Sequence, residues 1–348
     1  LHKQMKWQNI VIESLSVVLP PEIWSSELIE QKLAPIYERL RLPAGRLELM
    51  TGIRERRFWQ QPIKPSEASA LAGTQAMAQG NIVPADIDLL IHSSVCRDRL
   101  EPATAAYVHG LLGLLPKTQF FDISNACLGF LNAIAVAASM IESGQIKRAL
   151  ICSGENGKPL VESCIEKLNA DLTLTRNSIK PYFANLTIGA GAVAAVISHA
   201  NVARQKIAKL IGGVVEVDSQ ANKFCEGDTC GNALAMQTDS EKLLISGIAL
   251  ASRAWNNFKS TLGWNEQTPA RVITHQVGSR HTSALFEALG LDRAKDWASF
   301  QFLGNVGSVS LPATLSLAHQ AGTIKQGEKV ALLGIGSGLS TMMLGVEF

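Results

Sequence analysis

The stretch Thr118-Gln-Phe-Phe-Asp-Ile-Ser-Asn-Ala-Cys-Leu-Gly-Phe130 decides the fold. Aromatic and aliphatic residues run to Ile123, a short polar turn follows, and an apolar helical stretch covers 127–143 before Gly144. A strand that turns at once into a helix is the working unit of α/β proteins, and Gly144 suits the position just beyond a helix end. The pattern continues outward. Residues 87–94 read as a buried strand, 101–112 as a helix and 148–153 as a third strand. Parallel strands covered by helices are expected.

The second part of the chain repeats this order. Residues 271–275 read as a strand, 279–289 as a helix closed by Gly290, 297–302 as a short strand, 308–320 as a helix closed by Gly322, and 329–334 as a strand. Ser143-Gly-Gln-Ile-Lys147 answers Ala321-Gly-Thr-Ile-Lys325 at an offset of 178, which sets Cys127 opposite Asn305. The strand end at Ser93 answers His275 at an offset of 182. An internal duplication with halves 1–180 and 181–348 follows. It agrees with a length of 348 residues, too long for one ordinary core and suited to about two units of ~150 residues. Apolar strands are expected at 192–197 and 208–217, a long loop at 218–239, and a long helix at 240–262 with an apolar stripe from Leu243 to Ala251.

Composition narrows the function. With 47% hydrophobic and 18% charged residues, the chain is not disordered. A net charge of +2, from 32 basic against 30 acidic residues, calls for neither nucleic acid nor a membrane surface. A small or protein-borne substrate remains. Leu1-His-Lys-Gln-Met-Lys-Trp7 lacks the apolar core of a signal peptide, and the longest apolar stretch, 128–141, is too short to span a bilayer. A cytoplasmic protein without a membrane span is expected. Six cysteines form no disulfide framework, and Cys225 and Cys230 have no second pair to make a zinc site.

Three residues stand where α/β sheets carry chemistry. Cys127 follows the strand-to-helix turn, where helix N–H groups and the helix dipole lower a thiol pKa and favour a nucleophile; its bland alternative is an inert buried cysteine. His275 ends a strand in Ile273-Thr-His-Gln-Val-Gly278, placed to donate to a developing charge or exchange a proton. Asn305, between glycines in Gly304-Asn-Val-Gly307, offers an amide donor for an enolate or thioester oxygen, or else a helix cap. Gly334-Ile-Gly-Ser-Gly338 is no dinucleotide motif, because no βαβ unit can follow it. Its glycines suit a backbone N–H brought close to the cysteine.

Together Ser124-Asn-Ala-Cys-Leu-Gly-Phe130, His275-Gln276, Gly304-Asn305, Leu332-Leu-Gly-Ile-Gly-Ser-Gly338 and Thr51-Gly-Ile-Arg-Glu-Arg-Arg57 resemble the ketoacyl synthase III group of the thiolase superfamily. Within it, Ser93-Ser-Val-Cys-Arg-Asp-Arg-Leu-Glu-Pro-Ala-Thr104 and His275-Gln-Val-Gly-Ser-Arg-His-Thr282 are most similar to the head-to-head acyl-CoA condensing enzymes of bacterial olefin biosynthesis. The resemblance implies a layered αβαβα fold and a homodimer. It also implies an acyl-Cys127 intermediate, an oxyanion hole from the N–H groups of Cys127 and Gly338, and His275 and Asn305 as enolate stabilisers. Glu101 would be the α-carbon base, delivered to the partner subunit; as a residue it could equally be a solvent-facing glutamate in a first helical turn. Acyl-CoA thioesters would be the substrates, with no metal or redox cofactor. The alternative donor is malonyl-acyl carrier protein, condensed with loss of carbon dioxide. Met50 stands where an arginine is expected, so the CoA-binding residues are unassigned, and 160–182 and 218–239 match poorly.

Overall fold

Successive residues of the segment Ala190–His199 face two different cores. Val193, Ala195 and Ile197 pack into one apolar cluster, and Ala192, Ala194 and Val196 into another. A strand covered on both faces needs a continuous apolar run, which this segment supplies. The computed structural model describes residues 5–230 and 233–348; residues 1–4, part of the amino-terminal stretch considered above, and 231–232 lie outside it.

The main elements, in chain order, begin with β1 (Ile10–Val18), α1 (Pro65–Gln79), β2 (Leu89–His92), α2 (Thr104–Leu111), β3 (Gln119–Asp122) and α3 (Gly129–Glu142). They continue with β4 (Arg148–Asn156), α4 (Lys158–Ala170), β5 (Ala190–His199), β6 (Ala208–Val217), β7 (Cys225–Cys230) and β8 (Ala233–Thr238). The chain closes with α5 (Ser240–Leu262), β9 (Arg271–Thr274), α6 (Ser279–Leu289), α7 (Ser310–Gln320), β10 (Lys329–Gly336) and β11 (Ser340–Glu347).

Among the described residues the principal strands pair in the order β9-β10-β11-β6-β1-β5-β4-β2-β3. Two runs meet where β1 touches β6 through only two residue pairs, Val11 with Lys209 and Ile12 with Ala208. Outward from that junction both runs place strands in the same chain order and direction: β1-β5-β4-β2-β3 on one side, β6-β11-β10-β9 on the other, the latter extended by a parallel bridge from Val272 to Asp296. Helices α3 and α7 share the cluster between the two runs. Helices α1 and α2 cover the outer face of one run, and α5 and α6 that of the other. This is a thiolase-like layered α/β fold. We propose that the duplication divides after β5, because β5 pairs with β4 and β1 of the first run; the division at 180 falls before it.

Several local expectations are corrected. Residues 297–302 are not a strand: the Gln276 side chain accepts the N–H groups of Ser299 (2.9 Å) and Phe300 (3.2 Å) and starts the helical turn Phe300–Leu303. The 218–239 segment is not a loop. Its start is pinned by reciprocal backbone bonds between Asp218 and Leu339, and β7 and β8 then pair as a hairpin with Cys225 opposite Thr238. Helix α2 begins at Thr104, not Glu101, because Asp122 accepts the N–H groups of Thr104 and Ala105, both at 2.8 Å. Of the poorly matching 160–182 stretch, residues 160–170 belong to helix α4. Among the described residues no helix is long and apolar enough to cross a membrane.

Leu131 on α3 is 2% exposed within the central cluster. Leu131→Ala removes that packing from the layer both runs share. The expected loss is about 2–5 kcal/mol of unfolding free energy, measured by chemical denaturation.

Candidate active site

The nucleophile candidate sits on a turn, not on the helix. β3 ends at Asp122, Ala126 takes a positive φ of 45°, and α3 begins at Gly129 with Leu128 as its cap. The turn is closed by Leu128 N–H donating to Asn125 O at 3.0 Å, while Asn125 Nδ2 donates to Asn132 Oδ1 at 2.8 Å. Opposite it, the hairpin between β10 and β11 brings Gly336 so close that a Cβ there would lie 3.4 Å from Cys127 N.

His275 lies at the carboxyl end of β9, its N–H donating to Leu333 O of β10 at 3.0 Å, three residues before Gly336. It is 8% exposed, and its Nδ1 lacks a partner among the described residues. Asn305 is clamped by its backbone: its N–H donates to Thr187 O and its carbonyl accepts from Gly189 N–H, both at 2.8 Å. Its Oδ1 accepts from Gly307 N–H (3.1 Å) and Ser310 Oγ (3.4 Å), so the amide oxygen is committed to the turn. The Nδ2 donor has no protein partner among the described residues.

One residue that sequence reasoning missed joins these segments. Glu155, at the end of β4, is 3% exposed. Its Oε1 accepts Val95 N–H (2.8 Å), Ser308 N–H (3.2 Å) and Ser308 Oγ (2.9 Å), and its Oε2 accepts Cys96 N–H (3.0 Å). Gly307 has φ 55°, and a Cβ there would stand 2.8 Å from Glu155 Oε1, so only glycine fits. An acidic residue closing the apolar run of β4, at the strand end where α/β sheets place their sites, was the available signal.

The electrostatics correct the expectation for Cys127. The residue keeps partial solvent contact, but its sulfur is enclosed by protein. Burial pushes the thiol up to about 12, helped by the Glu155 carboxylate and by Cys225 on β7. The helix-dipole argument fails first because the sulfur is buried, and then because the Glu155 carboxylate opposes the thiolate. Burial, then His281, holds His275 down at about 4. At neutral pH the pair is therefore a thiol and a neutral imidazole.

The other candidates are placed more loosely. Glu101 is exposed on the loop between β2 and α2, and its carboxylate makes no hydrogen bond or ion pair among the described residues. Gly338 has φ 127° in the turn between β10 and β11, with open space where a side chain would stand.

Two similarly ordered runs of one sheet, with a cysteine on the turn after β3 and a histidine at the end of β9, fit a thiolase-fold, acyl-condensing transferase. Sequence profiles of 3-oxoacyl-[acyl-carrier-protein] synthase III match at 121–165, and of its C-terminal part at 260–347. An acyl-CoA:acyl-CoA alkyltransferase of Shewanella oneidensis is 36% identical over 351 residues, covering 99% of this chain and 100% of that one. A crystal structure of Xanthomonas campestris OleA with bound lauric acid and lauroyl-CoA superposes with a TM-score of 0.93 at 36% identity, covering 98% of this chain and 100% of that one. Other structures of that OleA carry changes at a cysteine, a histidine and a glutamate. A β-ketoacyl-[acyl-carrier-protein] synthase III of Clostridioides difficile is more distant, at 27% over 83% of this chain and 85% of its own length. The chain belongs to the acyl-CoA:acyl-CoA alkyltransferase family, within the ketoacyl synthase III group.

A thiol raised by burial holds little thiolate at pH 7, and its reactivity grows as pH rises. Alkylation of Cys127 by iodoacetamide, followed by peptide mass spectrometry, should still be accelerating above the ~8.5 of a free cysteine. A rate already level below pH 8 contradicts the burial argument.

Proposed function

We propose that this enzyme condenses two acyl-CoA thioesters, without decarboxylation, to a β-ketoacyl thioester. The observation that carries this reading is the approach of the β10–β11 hairpin, whose strand β10 pairs with the His275 strand, to the Cys127 turn, combined with a glutamate at 101. The thiol of Cys127 attacks the first acyl carbonyl, and its proton passes through neutral His275 to the departing CoA sulfur. The N–H groups of Cys127 and Gly338 hold the oxyanion. The second acyl-CoA then enters. Glu101 takes its α-proton, and His275 and the free Nδ2 of Asn305 stabilise the enolate. Attack on the acyl-Cys127 carbonyl forms the carbon–carbon bond and expels the Cys127 sulfur, which recovers a proton. The scheme is ping-pong and calls on no metal or redox group.

The need for a base distinguishes this chemistry from decarboxylative condensation, where loss of carbon dioxide generates the carbanion. An exposed Glu101 supports delivery to a neighbouring subunit. Leu100 is 93% exposed beside it, and Phe120 is exposed on β3 at the sheet edge. We read this face as the contact of a homodimer. The OleA complex with lauroyl-CoA supports acyl-CoA as the substrate class. We place the reaction in cytoplasmic lipid metabolism.

Purified enzyme is offered two acyl-CoAs or, separately, acyl-CoA with malonyl-acyl carrier protein. A β-ketoacyl thioester from acyl-CoA alone is expected. Carbon dioxide release with the carrier protein, and no product from acyl-CoA alone, overturns the reading in favour of a carrier-protein synthase. Cys127→Ala should abolish the acyl-enzyme seen by intact mass. Glu101→Ala should leave the acyl-enzyme in place and cut condensation by about 10²–10⁴-fold.

A further inference from the structure

Six polar side chains, five of them fully buried, form one continuous row beside the site. Asp122 Oδ1, at the end of β3, lies 3.6 Å from His92 Nδ1. His92 Nε2 is 3.2 Å from Ser94 Oγ, which is 3.1 Å from Ser153 Oγ. Ser153 Oγ is 2.7 Å from Ser308 Oγ, which donates to Glu155 Oε1 at 2.9 Å. Ser94 Oγ also accepts Gly154 N–H at 2.8 Å, and a carboxylate only accepts. The hydroxyl protons therefore run one way, from His92 toward Glu155. The row contains Ser94, His92 and Asp122 in the order of a hydrolytic triad. Ser94, however, is 5% exposed and already saturated, so it presents no nucleophile.

The two ends of the row hold the two ends of one loop. Glu155 accepts the N–H groups of Val95 and Cys96, where the chain leaves β2. Asp122 accepts those of Thr104 and Ala105, where the chain enters α2. Glu101 lies on the loop between these anchors. Through Ser308 the row also fixes the turn that follows Asn305, since the Ser308 N–H donates to Glu155 Oε1 at 3.2 Å as well. The Cys127 turn is held independently, by Asn125, Asn132 and the approach of Gly336.

We propose that His92 is a positioning residue for carbon–carbon bond formation. Through Asp122 on one side and Ser94, Ser153, Ser308 and Glu155 on the other, it sets the loop carrying Glu101 against the loop carrying Asn305. Acylation of Cys127 does not depend on it. The inference rests on the roles proposed above for Glu101 and Asn305.

The two half-reactions of the full-length dimeric enzyme are measured separately. Acyl-Cys127 formation is followed by intact mass, and condensation by product release from two acyl-CoAs. Glu101→Ala is the control for the underlying reading: if it leaves condensation intact, that reading fails and this inference falls with it. With the control behaving as expected, His92→Phe should acylate at the wild-type rate and lose condensation on the order of 10²-fold, the cost of a reacting group displaced by about 1 Å. His92→Gln, which keeps an N–H for Ser94, should recover much of the loss. Ser308→Ala cuts the row at its other end without touching His92, and should show the same split. Equal losses in both half-reactions, unchanged condensation in either His92→Phe or Ser308→Ala, or a Gln variant no better than Phe, overturns the proposal.

Discussion

A carboxylate buried without a cation must be met by hydrogen-bond donors, and Glu155 is met by four. Among the described residues no lysine or arginine pairs with it. Its donors are Val95, Cys96 and the backbone and hydroxyl of Ser308. An uncompensated charge in the interior is strongly unfavourable, so these donors cannot drift. Because they lie on the loops leading to Glu101 and away from Asn305, satisfying one buried charge brings two distant parts of the chain to a fixed separation. The glycine at 307 follows from the same demand, since any side chain there would collide with the carboxylate.

The same burial shapes the nucleophile. Cys127 and His275 are both pushed toward their uncharged forms, the thiol upward and the imidazole downward. A resting thiolate–imidazolium pair is thus disfavoured. The enzyme gives up a standing nucleophile and keeps a thiol whose proton leaves only as the bond forms. An idle thiolate would be exposed to oxidation, and a protonated thiol is far less so.

Much of this was legible in the sequence. The helix at 240–262 was read with its exact ends, because Asp239 caps it and Gly263 closes it in a left-handed conformation. Cys127 and His275 are readable because each follows a strand, and Asn305 because glycines flank its turn, although the strand expected before it is a helical turn. What escaped detection depends on contacts between distant segments. The turn at Phe300 forms because Gln276 reaches across to cap it, and no local pattern announces that. The 218–239 hairpin looked like a loop because its polar residues obscure the alternation of β7 and β8, and its anchor, Leu339, lies far along the chain. Glu155 read as the end of an apolar strand; its partners at 95, 96 and 308 appear only when the sheet is assembled. The helix is visible in the sequence, whereas the burial that raises the Cys127 thiol, and the Glu155 carboxylate that adds to it, appear only in the folded chain.

The close approach of Gly336 to Cys127 has a bearing on how the protein comes into being. The cysteine is translated well before the midpoint of the chain, and the glycine that flanks it arrives near the end. β6 and β11, which carry that hairpin into place, pair across more than a hundred intervening residues. Contacts of such long sequence separation form slowly, and chains fold as they emerge, amino end first. The emerging polypeptide therefore carries the Cys127 sulfur with no opposing wall until Gly336 is made. The hairpin of β10 and β11 supplies that wall, so a chain cut before residue 329 keeps the Cys127 turn and lacks the backbone that flanks it.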